Sequence, residues 1–139
     1  MKQKLVQTAM DMRNHAHAPY SNYRVGAAVE TESGEIIGGC NVESSSYGLT
    51  CCAERIALFR AIAEGHTSFN ALAVATENGG SPCGACRQAM LEYEVIQEES
   101  IKLLLKGVDN QVIEFLSVAD LLPLPFKCDA LQNVSGVNN

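Results

Sequence analysis

Apolar residues recur at helical spacing near the start of the chain, at Leu5, Ala9 and Met12, and predict a helix from about Leu5 to His15. Pro19-Tyr20-Ser21-Asn22 breaks that period into a loop. Val25 to Thr31 and Ile36 to Val42 read as strands, and the turn Glu32-Ser33-Gly34-Glu35 joins them as a hairpin. A polar stretch from Glu43 follows. Thr50 stands where it would cap a helix from Cys51 to Glu64, which Gly65 ends. The apolar run Phe69 to Thr76 is a third strand, and Glu77-Asn78-Gly79-Gly80-Ser81 is a loop. Pro82 then opens a helix from about Cys83 to Tyr93. Ile101 to Leu105 and Val112 to Leu116 are two more strands, split by Gly107-Val108-Asp109-Asn110, and Ser117 caps a short helix through Leu122. The order α-β-β-α-β-α-β-β-α is an α/β pattern. Helices between strands require crossovers, so the expected fold is three-layer α-β-α around a five-stranded mixed sheet.

Composition narrows the class. The chain has 139 residues, enough for one domain with a real core, expected over 1–126, with a polar and frayed tail over 127–139. Hydrophobic residues make up 47% and mean hydropathy is +0.02, which belongs to a globular chain. Net charge is −6 and the isoelectric point near 5.0, which argues against a nucleic-acid partner, since that needs a basic patch. No apolar run approaches the ~20 residues of a membrane span, and Met1-Lys2-Gln3-Lys4-Leu5 lacks an apolar leader core. The expected compartment is the cytoplasm. A reducing compartment also suits the six cysteines better as thiols than as three disulfides. Cys40 and Cys51 read as small buried hydrophobes, and Cys128 as a free thiol in the tail.

Two short segments carry the chemistry, Cys52-Ala53-Glu54 and Pro82-Cys83-Gly84-Ala85-Cys86. Neither suffices alone. A single Cys-x-x-Cys is also a redox dithiol or half a structural zinc site, and Cys-Ala-Glu is ordinary helix sequence. Together they form the Cys₃ version of the zinc nucleobase-deaminase signature. Three thiolates leave one corner of a zinc tetrahedron open, where water becomes acidic enough to act as a nucleophile near neutral pH. A carboxylate beside it, Glu54, can carry protons. The 31 residues from Cys52 to Cys83 accommodate a helix, a strand and a second helix start, so both segments can meet at one point. Both fall at helix N-termini, where the dipole and free N–H groups stabilise thiolates. Arg55 and Arg87 stand next to the motifs and can offset the charge of three thiolates. His15, His17 and His66 match no motif and read as surface or helix-end residues.

With these segments in view, the chain resembles the small homo-oligomeric, tetrameric zinc cytidine deaminases. The likeness runs from Pro19 to Phe126, through Pro19-Tyr20-Ser21, Val25-Gly26-Ala27-Ala28, Cys40-Asn41-Val42-Glu43, Ser46-Tyr47-Gly48-Leu49-Thr50, the two cysteine segments with Arg55 and Arg87-Gln88, and Leu121-Leu122-Pro123. The resemblance implies one zinc per chain on Cys52, Cys83 and Cys86, with Glu54 as the proton carrier and Arg55 hydrogen-bonded to the thiolates. It implies that the Ala53 N–H reads the base carbonyl and the Ser81 carbonyl accepts from the amino group. Asn41 and Glu43 would bind ribose hydroxyls, and Tyr23 would pack near the base, where the family usually has Phe. Ser45 and Tyr47 would reach a neighbouring subunit's site, and Phe126 would close over the pocket. The implied activity is hydrolytic deamination of cytidine and deoxycytidine in pyrimidine salvage.

Departures from the family pattern, at Tyr23, at Ser44-Ser45 and in the short loop before Pro82, surround the substrate and not the metal. Three rival readings stay open at this stage. They are a deaminase of another amino-heterocycle, a dithiol oxidoreductase on Cys83 and Cys86, and a structural zinc module with a fourth protein ligand.

Overall fold

A computed structural model describes residues 2–109 and 111–127. Three α-helices, α1 (Lys2–Met12), α2 (Ala53–Ala63) and α3 (Gly84–Gln97), pack on five strands. The strands are β1 (Gly26–Thr31), β2 (Ile36–Cys40), β3 (Phe69–Ala75), β4 (Lys102–Lys106) and β5 (Ile113–Phe115). They form one sheet in the order β2-β1-β3-β4-β5, antiparallel except for the parallel β3–β4 pair that α3 connects. The expected three-layer α/β architecture is present. Among the described residues, no helix is long and apolar enough to cross a membrane.

The two-residue period of a strand decides what each face holds. On β3, Ala71, Ala73 and Ala75 face one way and pack with Ala28 against Leu5, Val6 and Ala9 of α1. Leu72 and Val74 face the other way, into the larger core with Val29, Leu58, Met90, Leu103 and Leu105. Small side chains on one face let a single helix lie close, while large ones fill the space beneath α2 and α3. The α2 helix makes its own close approach through Ala53, Ala57 and Ala61, spaced four apart on one stripe and fully buried.

Several boundaries differ from the sequence reading. The N-cap of α2 is Cys52, not Thr50, whose hydroxyl accepts instead from the Ser44 N–H at 3.1 Å. The α3 helix runs four residues past Tyr93, to Gln97. Tertiary contacts hold that extra turn. Gln97 brackets the Phe69 backbone with two 2.9 Å hydrogen bonds, and Glu94 accepts from the N–H groups of Ile101 and Val118 and from Ser117 Oγ. Glu98 then ends the helix at φ +59° without a glycine. The last short helix is a 3₁₀ turn, Val118–Leu121, capped by Ser117 as expected. Cys40 and Cys51 are half-buried and not core residues. Asn110, Cys128 and the rest of the tail lie outside the described residues.

Register positions the site. Gly26 of β1 pairs with Cys40 on one side and Ala75 on the other. The carboxyl ends of β2 and β3 therefore lie at one edge of the sheet, a strand's width either side of β1. The chain leaves each end toward α2 or α3, so both helices start from that edge, where open α/β sheets put ligands.

Gly39 sets the closeness of α2 to β2. A Cβ there would lie 2.4 Å from the Ala57 nitrogen and 2.8 Å from its Cα, both backbone atoms that cannot rotate away. Gly39→Ala is expected to cost about 1–3 kcal/mol through overpacking. Gly48→Ala, with nothing within 4 Å of the added carbon, should change stability by less than about 0.5 kcal/mol. Thermal unfolding of both variants checks this, and equal midpoints would refute the close-packing account.

Candidate active site

Cys52 and Cys83 are the N-cap residues of α2 and α3, in extended conformations with ψ of 153° and 167°. Each carbonyl starts its helix, accepting from Ile56 and Arg87 at 3.1 and 3.0 Å. Cys86 lies in the first turn of α3 and is fully buried, while Cys83 is exposed. The three Sγ atoms all lie within 4.8 Å of one another, and Cys52 Sγ is 3.8 Å from Cys83 Sγ. A disulfide needs ~2.05 Å. Thiolates bound at ~2.3 Å to one tetrahedral zinc stand ~3.8 Å apart, so the donor set and its spacing fit zinc. Cys51, adjacent to Cys52, pairs through its backbone with Val42 and lies outside the cluster, so it does not supply the fourth ligand of a structural module.

The electrostatics point the same way. Hydrogen bonding from Cys86, then from Arg55 and Cys83, lowers the Cys52 pKa to about 5 despite burial. The counterpart is Cys86, pushed well above the thiol range by its bond to Cys52 and by burial. One thiolate forms readily here and the next does not, because a second negative charge at this distance needs a cation. Arg55 supplies part of it through Nη2, 3.5 Å from Cys52 Sγ. Its buried Nε has no acceptor among the described residues. Arg87 does not join the thiolates in this way. Its guanidinium donates to the Pro82 carbonyl at 2.8 Å, the Leu121 carbonyl at 2.9 Å and Ser81 Oγ at 2.7 Å, and so latches the loop ahead of α3.

Glu54 occupies the second position of α2, next to the cluster and not in it, and is 4% exposed. Burial raises its pKa, opposed by a hydrogen bond from Cys86 and the charge of Arg55. A buried carboxyl with a raised pKa beside a metal site suits proton transfer.

A cavity of about 230 Å³ opens over these groups. Cys52, Ala53, Glu54 and Cys83 form its floor, with Val25, Val74 and Thr76 behind. Tyr23, Asn41, Glu43 and Ser81 also line it, together with Ser21, Thr50 and Gly80, which the sequence alone did not single out. Asn41 is buried. Its Oδ1 accepts from the Val25 N–H at 2.9 Å and its Nδ2 donates to the Tyr23 carbonyl at 2.8 Å. Glu43 accepts from the N–H groups of Tyr20 and Ser21 at 3.0 and 3.1 Å and from the Ser21 hydroxyl. The Ser21 hydroxyl is the main cause that holds the Glu43 pKa down.

Three expected site residues lie elsewhere. Ser45 and Tyr47 are exposed, Tyr47 at 76%, and Tyr47 borders an adjoining cleft that shares Ser21, Glu43 and Thr50 with the cavity. Phe126 is 60% exposed, its carbonyl tied to Gln88 Nε2 at 2.8 Å. A larger hollow of about 440 Å³ between the end of α3 and the segment 122–127 has no thiol or imidazole among the described residues that line it. A surface trio, Glu35, Glu64 and His66, brings three donor atoms within 4.8 Å, which its contacts His66–Glu35 and Arg60–Glu64 account for.

The chain is similar to known proteins in sequence and fold. Residues 1–99 match the family model described as "Cytidine and deoxycytidylate deaminase zinc-binding region". A cytidine deaminase of Sporosarcina psychrophila is 43% identical over 131 residues, covering 93% of each chain. One from Halalkalibacterium halodurans is 40% identical over 134 residues, 95% of this chain and 98% of that one. The crystal structure of a cytidine deaminase from Burkholderia pseudomallei superposes with a TM-score of 0.84 at 43% identity, over 91% of this chain and 99% of that one.

Removing one thiolate should empty the centre. Cys83→Ala is expected to lose zinc and to lower the thermal midpoint, because the metal also ties two helix starts together. Elemental analysis of the purified variant checks this. Full zinc occupancy would remove Cys83 from the ligand set.

Proposed function

The chain belongs to the cytidine and deoxycytidylate deaminase zinc-binding family, and from that premise we propose how its own residues carry out the reaction. It is a zinc hydrolase, with one zinc per chain, that deaminates cytidine to uridine and deoxycytidine to deoxyuridine. The observation that carries this conclusion is a cavity whose floor joins the thiol cluster to a buried Glu54.

Cys52, Cys83 and Cys86 would hold the zinc, which when bound would supply Lewis acidity that lowers the pKa of water from 15.7 toward about 7. Glu54 takes one proton from the attacking water and gives it to the pyrimidine N3, then takes the remaining proton from the new C4 hydroxyl and delivers it to the departing amino nitrogen. Ammonia leaves as the C4–N bond breaks, and the ring keeps the incoming oxygen as its new carbonyl. Arg55 spreads the thiolate charge, which otherwise weakens the acidity of the centre. The Ala53 N–H, on the cavity floor, donates to the base carbonyl, and the Ser81 carbonyl accepts from the amino group. Tyr23 packs along the base. Asn41 holds the wall and, with Glu43, receives the ribose hydroxyls. Glu43 already accepts from a hydroxyl, that of Ser21, which supports the match in chemistry.

No lysine or arginine stands among the described residues that line the cavity. This supports free nucleosides as substrates over 5′-monophosphates, which need a cationic cradle. Exposure of Tyr47, Ser45 and Phe126 outside their own chain's cavity supports a homo-oligomer, a tetramer, in which neighbours complete each pocket. A thiol-rich metal centre and free cysteines at all five described positions support a cytoplasmic location.

Glu54→Gln should keep zinc and fold while kcat falls by at least the ~10²–10⁴-fold of a general acid–base step. Near-normal turnover would move the proton transfers to another group. Measuring kcat/KM for cytidine, deoxycytidine, cytosine and the monophosphate tests the substrate reading, which fails if the monophosphate or the bare base is preferred.

Light scattering of the wild-type protein should give a mass of about four chains. Tyr47→Ala should lower activity without lowering zinc content. A fully active monomer would refute the shared pocket.

A further inference from the structure

We propose that the Tyr23 hydroxyl is a positioning group that clamps the Gly79-Gly80-Ser81 wall of the pocket and sets its selectivity at the amino group of the base. The inference rests on the cytidine reading above and deepens it.

The loop from β3 to α3 is fixed at both ends. At its start, the Thr76 N–H donates to the Lys106 carbonyl at 2.9 Å, and the Val108 N–H to the Glu77 carbonyl at 3.1 Å. At its end, Arg87 holds Ser81 and Pro82. The middle is Gly79-Gly80, with Gly79 at φ +77°, the most pliant backbone a chain can offer. That pliant pair adjoins Ser81, whose carbonyl is assigned to the substrate amino group.

What steadies the middle is a small polar knot. The Gly80 N–H donates to Thr76 Oγ1 at 2.8 Å and to Asn78 Oδ1 at 3.2 Å. The Tyr23 hydroxyl, from a segment 55 residues away, donates to the same Asn78 Oδ1 at 2.8 Å. It also leaves no room for a side chain at Gly80, since a Cβ there would stand 2.7 Å from the hydroxyl oxygen. Tyr23, Thr76, Gly80 and Ser81 all line the cavity. The phenol therefore bridges two walls of the pocket and fixes the width between them. A fixed width favours an unsubstituted amino group over an N4-alkylated one, which needs the wall to yield by a methyl group.

Tyr23→Phe removes the hydroxyl and keeps the ring. With one neutral hydrogen bond lost, kcat for cytidine should fall about 2- to 12-fold with little change in KM. The ratio of kcat/KM for N4-methylcytidine to that for cytidine should rise. A role limited to global stability would move the thermal midpoint and leave both the kcat-against-KM split and that ratio unchanged. Gly80→Ala should impair kcat in the wild-type background, where its methyl meets the hydroxyl. The same change on top of Y23F should cost less, because the space is vacated.

Amide hydrogen exchange at Gly80 reads the clamp without reference to turnover, and Y23F should speed it by a similar factor. Unchanged kinetics, unchanged selectivity and unchanged Gly80 exchange in Y23F would overturn the proposal while leaving the deaminase reading intact. A wild-type holoenzyme inert toward cytidine would overturn the reading itself. In that case the selectivity role falls with it, and Gly80 exchange decides the clamp alone.

Discussion

Three sulfur atoms within 4.8 Å of one another set the terms for the rest of this molecule. As thiols they crowd three hydrogen-bonding groups that prefer to share protons. Hydrogen bonds from Cys86 and Arg55 let Cys52 ionise easily, and the bond to Cys52 together with burial makes Cys86 resist. The arrangement becomes favourable once a divalent cation sits among them, and the fold is built to keep them close until then. Two helix N-termini point at one spot, Arg55 leans on Cys52, and the close contact of α2 on Gly39 leaves the first helix no room to drift. The register of β1 against both β2 and β3 brings the two helix starts to one sheet edge.

The same edge explains why so much of the centre was legible in the sequence. Cysteines immediately before apolar helical runs mark N-termini, and a strand between the two helices places both starts on one side of a sheet. Those are local signals plus one topological rule, and they led to Cys52, Cys83, Cys86 and Glu54 together. The pocket wall is a different kind of object. Asn41 is buried because both ends of its amide meet backbone from the segment 23–25, and no local pattern announces that. Thr76, Gly80 and Ser21 enter the cavity through contacts that span the chain. The Thr50 hydroxyl looked like a helix cap and instead satisfies the Ser44 N–H, because Cys52 already occupies the cap position with the extended backbone it requires. The extra turn of α3 has the same origin. Gln97 and Glu94 bond to backbone outside their own helix, so tertiary contacts and not helix propensity decide where it stops.

Arg87 shows how position in a motif can mislead. It stands one residue after Cys86, as Arg55 stands one residue after Glu54, and both were candidates to offset thiolate charge. Only Arg55 hydrogen-bonds a sulfur among the contacts described. The helical turn puts Arg87 four residues past the N-cap Cys83, where it reaches back to the Ser81 hydroxyl and the Pro82 carbonyl and across to Leu121. It holds the loop that delivers Cys83 to the cluster. Its effect on the centre runs through backbone geometry and not through charge.

The pocket thus combines a stiff floor with walls of unequal firmness. The floor is two helix starts and buried alanines, which have almost no freedom to adjust. The wall at Asn41 is nearly as firm, because its amide is buried and bonded at both ends. The wall at Gly79-Gly80 would be soft, since two glycines separate its anchors. In the proposed reaction that difference matters, because the departing amino group is assigned to the Ser81 carbonyl on this wall. A carbonyl a few tenths of an ångström out of place still binds an amino group but no longer aligns the bond to be broken. Tyr23 is the side chain that crosses from the firm side to the soft one. It ends in a hydroxyl that donates to Asn78 and lies close beside Gly80. The metal centre fixes what reaction can occur at this edge of the sheet, and the rigidity of its least rigid wall fixes which amines are presented to it.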